Sequence, residues 1–132
     1  MVVDTSVAFK WFVGWGETGL DDAAELLAAH RRRELRLIAP STIAVEIANT
    51  IRYLVPIADA LELLAQFEAT HIELHDTTPD LVRRATERAA ETGMGVYDAL
   101  FLALAEQHGC ALATADRKAF ADVETPIPIR LI

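Results

Sequence analysis

Short apolar runs, too brief to make helices, alternate along the whole chain with segments whose apolar residues recur at helical spacing. Strands separated by helices assemble into a parallel sheet covered on both faces, so this alternation constrains the fold more than any single motif. Val2-Val3 begins a short buried strand with Asp4 at its end. Thr5 to Val13 is helix-like until Gly14-Trp15-Gly16 breaks it. Asp21 to Arg33 reads as an amphipathic helix with Ala24, Leu27 and Ala28 inward. Leu35 to Ala39 reads as a second strand, and Pro40-Ser41 opens a helix from about Thr42 to Val55.

Pro56 ends that helix, and Ile57 to Ala69 forms another. Ile72 and Leu74 mark a third strand. Thr78-Pro79-Asp80 starts a helix that runs to Thr92 and stops at Gly93. An almost wholly apolar helix, Val96 to His108, lies between Gly95 and Gly109. Cys110 to Ala113 reads as a fourth strand, followed by a short Lys118–Phe120 helix. Ile127, Ile129 and Leu131 alternate as a last edge strand, where Pro126 and Pro128 are tolerated. The expectation is one α/β domain over residues 1–132, with about five short, mainly parallel strands between helices.

Half the residues are apolar and a quarter charged, which is globular composition. The lone Cys110 rules out an internal disulfide framework and fits a reducing compartment. Met1-Val2-Val3 runs into Asp4 with no basic or long apolar leader, and Ala99 to Ala105 is too short to span a bilayer. A soluble, cytoplasmic protein that makes no use of a membrane is therefore expected. The net charge of −8 argues against a protein that coats DNA non-specifically. It is compatible with carboxylates gathered around cations, or with a basic partner.

Ligands of an open parallel sheet gather beyond the carboxyl ends of its strands. Asp4 and Asp116 both follow strands, although singly each has a plainer reading, as a helix cap and as a turn residue. On the helix from Thr42, the residues Ile43, Ile47, Ile51 and Leu54 form a core stripe. Glu46 and Asn49 lie together just off its edge, where Glu46 is as readily a solvated boundary residue as a ligand. Asp98 is the sharpest signal, because a helix apolar all round is buried and this is its one early carboxylate. Its plainer reading is a first-turn acid complementing the helix dipole. Four carboxylates converging on one edge would repel one another, and hard divalent cations relieve that repulsion. Oxygen-only ligands suit magnesium or manganese (Mg2+ or Mn2+) over zinc, and the four histidines show no zinc spacing.

The order of these acids and their neighbours resembles a known family. Val2-Val3-Asp4-Thr5-Ser6, Glu46 with Asn49, Tyr97-Asp98-Ala99 and Thr114-Ala115-Asp116-Arg117 look like the ordered motifs of PIN domains. Leu104-Ala105-Glu106 and Gly109 stand correctly between the last two. The likeness is greatest to the toxins of bacterial and archaeal VapBC toxin–antitoxin pairs, and it spans essentially the whole chain. It implies a metal-dependent endoribonuclease in which Asp4, Glu46, Asp98 and Asp116 are the catalytic, metal-binding acids. Ser6, Asn49 and Thr114 match polar neighbours that orient ligands or water. The resemblance also implies an RNA substrate, a cognate antitoxin and a homodimer. Gly14-Trp15-Gly16 departs from the pattern, and Asp122 lies six residues beyond Asp116, which leaves a fifth acid unassigned.

Arg117 and Lys118 directly follow Asp116, where they could hold RNA phosphates or equally form a solvated turn. Arg31-Arg32-Arg33 suits the dipole at a helix end. Core packing is the default for Trp11, Phe12 and Trp15, with part of that patch open to a partner. A PIN-like module that has lost catalysis and only binds RNA or protein is the rival reading, and a missing acid would favour it. A haloacid-dehalogenase phosphatase would need a second Asp where Ser6 stands. A nucleotide hydrolase of the G-x-x-x-x-G-K type lacks its loop here.

Overall fold

A computed structural model describes residues 1–14 and 18–132. Trp15 and Gly16, which carry much of the expected break after the first helix, lie outside the described residues. The elements run β1 (Val2–Val3), α1 (Thr5–Phe9), α2 (Leu20–Arg31), β2 (Ile38–Pro40), α3 (Thr42–Ile51) and α4 (Ile57–Glu68). They continue with β3 (Glu73–His75), α5 (Pro79–Thr92), α6 (Val96–His108), β4 (Leu112–Thr114), α7 (Arg117–Phe120) and β5 (Ile129–Leu131). The five strands form one parallel sheet in the order β3-β2-β1-β4-β5.

Val2 pairs with Ile38 on one side and Leu112 on the other, so β1 is the centre of the sheet. Successive strand residues point to opposite faces. Val2 and Val3 are both fully buried, so helices must cover both faces at this strand. The expected α/β architecture is therefore present, with β5 as an edge strand.

Local signals place α5 and α6 closely. The Thr78 side chain accepts from Leu81 N at 3.2 Å, and Gly93 closes α5 in the left-handed conformation. Helix α6 ends at left-handed Gly109, and every residue from Ala99 to Ala105 is buried.

Several expectations shift. Helix α1 stops at Phe9, and α3 stops at Ile51, which leaves Leu54 exposed and out of the core stripe. Helix α2 turns Ala23, Leu26 and Leu27 inward while Ala24 faces solvent. Alanine is too weak a hydrophobic marker to fix a helix's rotation against its neighbours. Strand β4 begins two residues later than the apolar run and so takes in Thr114. Trp11 and Phe12 pack against the core, with Trp11 Nε1 donating to Ala23 O at 2.8 Å. Phe12 meets the ring of Phe67 edge-on. Trp15, the third member of that expected cluster, is outside the described residues.

Candidate metal centre

Parallel pairing brings the ends of β1 and β4 side by side, and Asp4 N donates to Ala113 O at 2.9 Å. Asp4 is thereby held at the sheet's carboxyl edge with only 5 % of its surface exposed. Its Oδ2 accepts from Thr114 Oγ1 and from Ser6 Oγ, each at 2.7 Å. Both hydroxyls are in turn fixed by backbone donors. Ala115 N donates to Ser6 Oγ at 2.9 Å, and Asp116 N donates to Thr114 Oγ1 at 3.0 Å. Each hydroxyl thus gives its single proton to Asp4, and the 3.4 Å between Ser6 Oγ and Thr114 Oγ1 is a contact without a shared hydrogen.

Glu46 enters from α3. Its Oε2 accepts from Thr5 Oγ1 at 2.6 Å, and its Oε1 is buried with no hydrogen-bond partner. Asp98 enters from the first turn of α6, half-buried, with a backbone hydrogen bond from Gly95. Asp116 follows β4 and uses Oδ1 to cap α7 through Ala119 N at 2.9 Å. The plainer reading of Asp116 as a local cap is therefore true of one of its oxygens. Asp4 occupies the cap position of α1 without making a side-chain cap bond.

The four acids act on one another electrostatically. Burial pushes the Asp4 carboxyl up, opposed by the hydrogen bonds from Thr114 and Ser6 and reinforced by Asp116. Burial likewise raises Glu46, against the Thr5 hydrogen bond and with added repulsion from Asp4 and Asp98. Asp98 is raised by burial and then by Asp4 and Asp116. Each pushes its neighbours toward the neutral form.

A divalent cation fits this set on three observations. The candidate donors are carboxylate oxygens that repel one another, the Glu46 Oε1 atom is buried without a partner, and no cation is among the groups that shift Asp4, Glu46 and Asp98. Among the described residues no three histidine, cysteine or carboxylate side chains stand close enough to enclose an ion by themselves. Magnesium keeps several waters and is held through one or two carboxylates, so an open arrangement of this kind suits it.

The remaining expected residues are placed less centrally. Asn49 is exposed one turn beyond Glu46, and its Oδ1 accepts from Arg52 Nε at 3.1 Å, away from the acids. Arg117 and Lys118 are exposed on α7. Neither makes an ion pair among the described residues. Asp122, the unassigned acid, lines a hollow of about 570 Å³ with Arg88, Glu91 and Lys118 and is not among the groups that shift Asp4, Glu46 or Asp98. Thr5 had no signal of its own beyond standing between Asp4 and Ser6. Arg32 bridges Glu25 and Glu34 at the surface, which agrees with a solvated basic helix end.

The fold and its edge define a single-sheet α/β domain with carboxylates gathered beyond the carboxyl ends of its strands. The sequence profile of the PIN domain matches residues 1–125, and the chain belongs to that family. Solved structures share its fold. A toxin–antitoxin complex from Klebsiella pneumoniae superposes with a TM-score of 0.68 at 19 % identity, covering 97 % of this chain and 98 % of that one. VapC20 of Mycobacterium tuberculosis, described as a toxin that cleaves the sarcin–ricin loop, gives 0.72 at 19 % identity over 96 % and 98 %. DNA-bound VapBC from Salmonella typhimurium gives 0.71 at 16 % identity over 98 % and 95 %. Among curated proteins compared by sequence alone, none matches the chain.

Proposed function

We propose that this chain is a divalent-metal-dependent endoribonuclease, the toxin of a type II toxin–antitoxin pair, acting in the cytoplasm. The observation that carries the reading is that Asp4, Glu46, Asp98 and Asp116, from four separate segments, act on one another at one sheet edge beside the unpartnered Glu46 Oε1. The catalytic acids and metal ligands in this reading are those four. Ser6 and Thr114 hold Asp4, and Asn49, bonded to Arg52, stands one turn beyond Glu46 on the same helix.

A magnesium or manganese ion, when bound, supplies an activated water and neutralises charge on the scissile phosphate. The protein's own part is to place carboxylate oxygens where that charge is needed. Thr114 and Ser6 commit their protons to Oδ2 of Asp4, which favours the charged form of the buried carboxylate and offsets part of its desolvation. The backbone bond from Gly95 orients Asp98 at the start of a helix anchored by its buried stretch Ala99–Ala105. Arg117 and Lys118, exposed one and two residues beyond Asp116, hold the RNA backbone. No side-chain nucleophile is required.

The antitoxin docks on the exposed apolar surface formed by the α3–α4 turn and the start of α4, where Tyr53, Leu54, Ile57 and Leu61 are all open to solvent. Beside them a hollow of about 550 Å³ is lined by Phe9, Phe12, Val13, Leu54, Val55 and Leu63. The toxin itself acts as a homodimer.

The purified protein should be incubated with total RNA and magnesium or manganese, next to Asp4→Ala and Asp98→Ala proteins and an EDTA control. Discrete cleavage by the wild type alone, lost with EDTA, is the expected result. Absence of both cleavage and manganese binding would instead identify a PIN-like module that only binds RNA or protein.

A further inference from the structure

We infer that Thr5 is a positioning residue of the metal centre, holding Glu46 so that its buried Oε1 stays directed to a divalent cation. The inference rests on the proposed metal-dependent reading. Thr5 Oγ1 donates to Glu46 Oε2 at 2.6 Å across a sequence separation of 41 residues. Thr5 is the first residue of α1 and directly follows Asp4, so its backbone position is set by the same β1 end that places the buried acid. Glu46 sits on α3, a separate element. The hydroxyl is therefore a rigid link between the two segments that carry neighbouring carboxylates.

A glutamate side chain has three rotatable bonds and needs external contacts to hold one rotamer. One of its oxygens is occupied by Thr5, while the other is buried and unpartnered. A buried polar atom without a partner is costly and calls for an explanation, and a missing ligand supplies one. A donor on Oε2 also strengthens the charged form, as outer-shell hydrogen bonds to metal-binding carboxylates do. Ser6 and Thr114 perform this service for Asp4, and Thr5 performs it for Glu46.

Thr5→Val removes the hydroxyl at nearly constant volume, and Thr5→Ser keeps it. Manganese affinity of each full-length protein would be measured by titration, alongside kcat and KM on the cleaved RNA. Thermal unfolding without metal would verify that each variant is folded. Thr5→Val should weaken manganese binding roughly tenfold and lower kcat with little change in KM, and Thr5→Ser should restore both.

A Glu46→Gln background separates positioning from general structure. There the further Thr5→Val change should have little effect on manganese affinity, because the group it acts through has already been altered. Equal losses from Thr5→Val with Glu46 present and with it altered would overturn the inference. So would wild-type manganese affinity in Thr5→Val, which would leave the metal-dependent reading standing. Failure of the wild type itself to bind manganese would bring down both. If Thr5→Val does not fold, Thr5→Ala takes its place in the same cycle.

Discussion

Thr114 Oγ1 donates to Asp4 Oδ2 at 2.7 Å, joining the ends of two adjacent parallel strands whose residues lie 110 apart in the chain. The same Thr114 oxygen accepts from Asp116 N at 3.0 Å. One buried hydroxyl therefore favours the charged form of the central acid against its burial and places the loop that carries the next one.

Thr114→Val should accordingly cost stability as well as function. It deprives Asp4 of one of its two side-chain donors and leaves Asp116 N without its acceptor, a loss of about 1–3 kcal/mol by the usual cost of an unmade buried hydrogen bond. Chemical denaturation at neutral pH would measure it. Thr114→Ser, which keeps the hydroxyl, should stay within about 1 kcal/mol of wild type. Equal stability of the Val variant and the wild type would show that the hydroxyl does not support the fold.

Stability without metal should depend on pH in a definite direction. Burial, with repulsion among the acids, holds Asp4, Glu46 and Asp98 above the ordinary carboxylate range. The folded protein then binds protons more tightly than the unfolded chain, so their contribution is full below the ordinary carboxylate values and is lost as pH rises through the raised ones. In EDTA, the melting temperature of the wild type relative to Asp98→Asn should fall as pH rises from about 4 toward 7, and magnesium or manganese should reverse the fall at neutral pH. Taking the difference cancels the opposite contribution of the arginine-paired surface acids Glu34, Glu73 and Asp80. A relative melting temperature that rises over that interval in EDTA, with no response to metal, would contradict it.

Asp98→Asn should separate stability from activity. Removing one charge relieves the repulsion with Asp4 and Asp116, so the metal-free variant should be as stable as wild type or more so, by at most about 1 kcal/mol at this half-exposed position. RNA cleavage should be abolished. A variant that cuts RNA at the wild-type rate would remove Asp98 from the site.

Gly19 marks a purely structural constraint far from the acids. It precedes α2 at φ +74°, and a Cβ there would lie 2.8 Å from the backbone carbonyl carbon of Ile132. Gly19→Ala combines left-handed strain with a clash against backbone, and should destabilise by about 2 kcal/mol or more. Manganese affinity of the folded fraction should be unchanged. Calorimetric unfolding together with a metal titration would test both statements.

Leu54→Glu with Ile57→Glu probes the partner face. Both side chains are exposed, so monomer stability should move by no more than about 0.5 kcal/mol for each. Nuclease activity should persist while inhibition by the cognate antitoxin is lost. Retained inhibition at equal antitoxin concentration would place the antitoxin elsewhere.

Periodicity and punctuation in the chain were enough to determine its strand–helix alternation, the buried middle of α6 and the caps of α5 at Thr78 and Gly93. These features are local, since each is written within a few turns of chain by hydrophobic spacing and by residues suited to cap conformations. Asp4, Glu46, Asp98 and Asp116 could be picked out as candidates because each stood at a strand end or broke an apolar face. Their mutual distances could not, because those depend on β1 lying between β2 and β4. Only the tertiary structure decided that Thr5 reaches Glu46, that Asp116 spends one oxygen on α7, and that Asn49 turns to Arg52. It also decided that Leu54 and Ala24 face solvent, because helix rotation and length are settled by packing against neighbours and a single chain's pattern carries that only faintly.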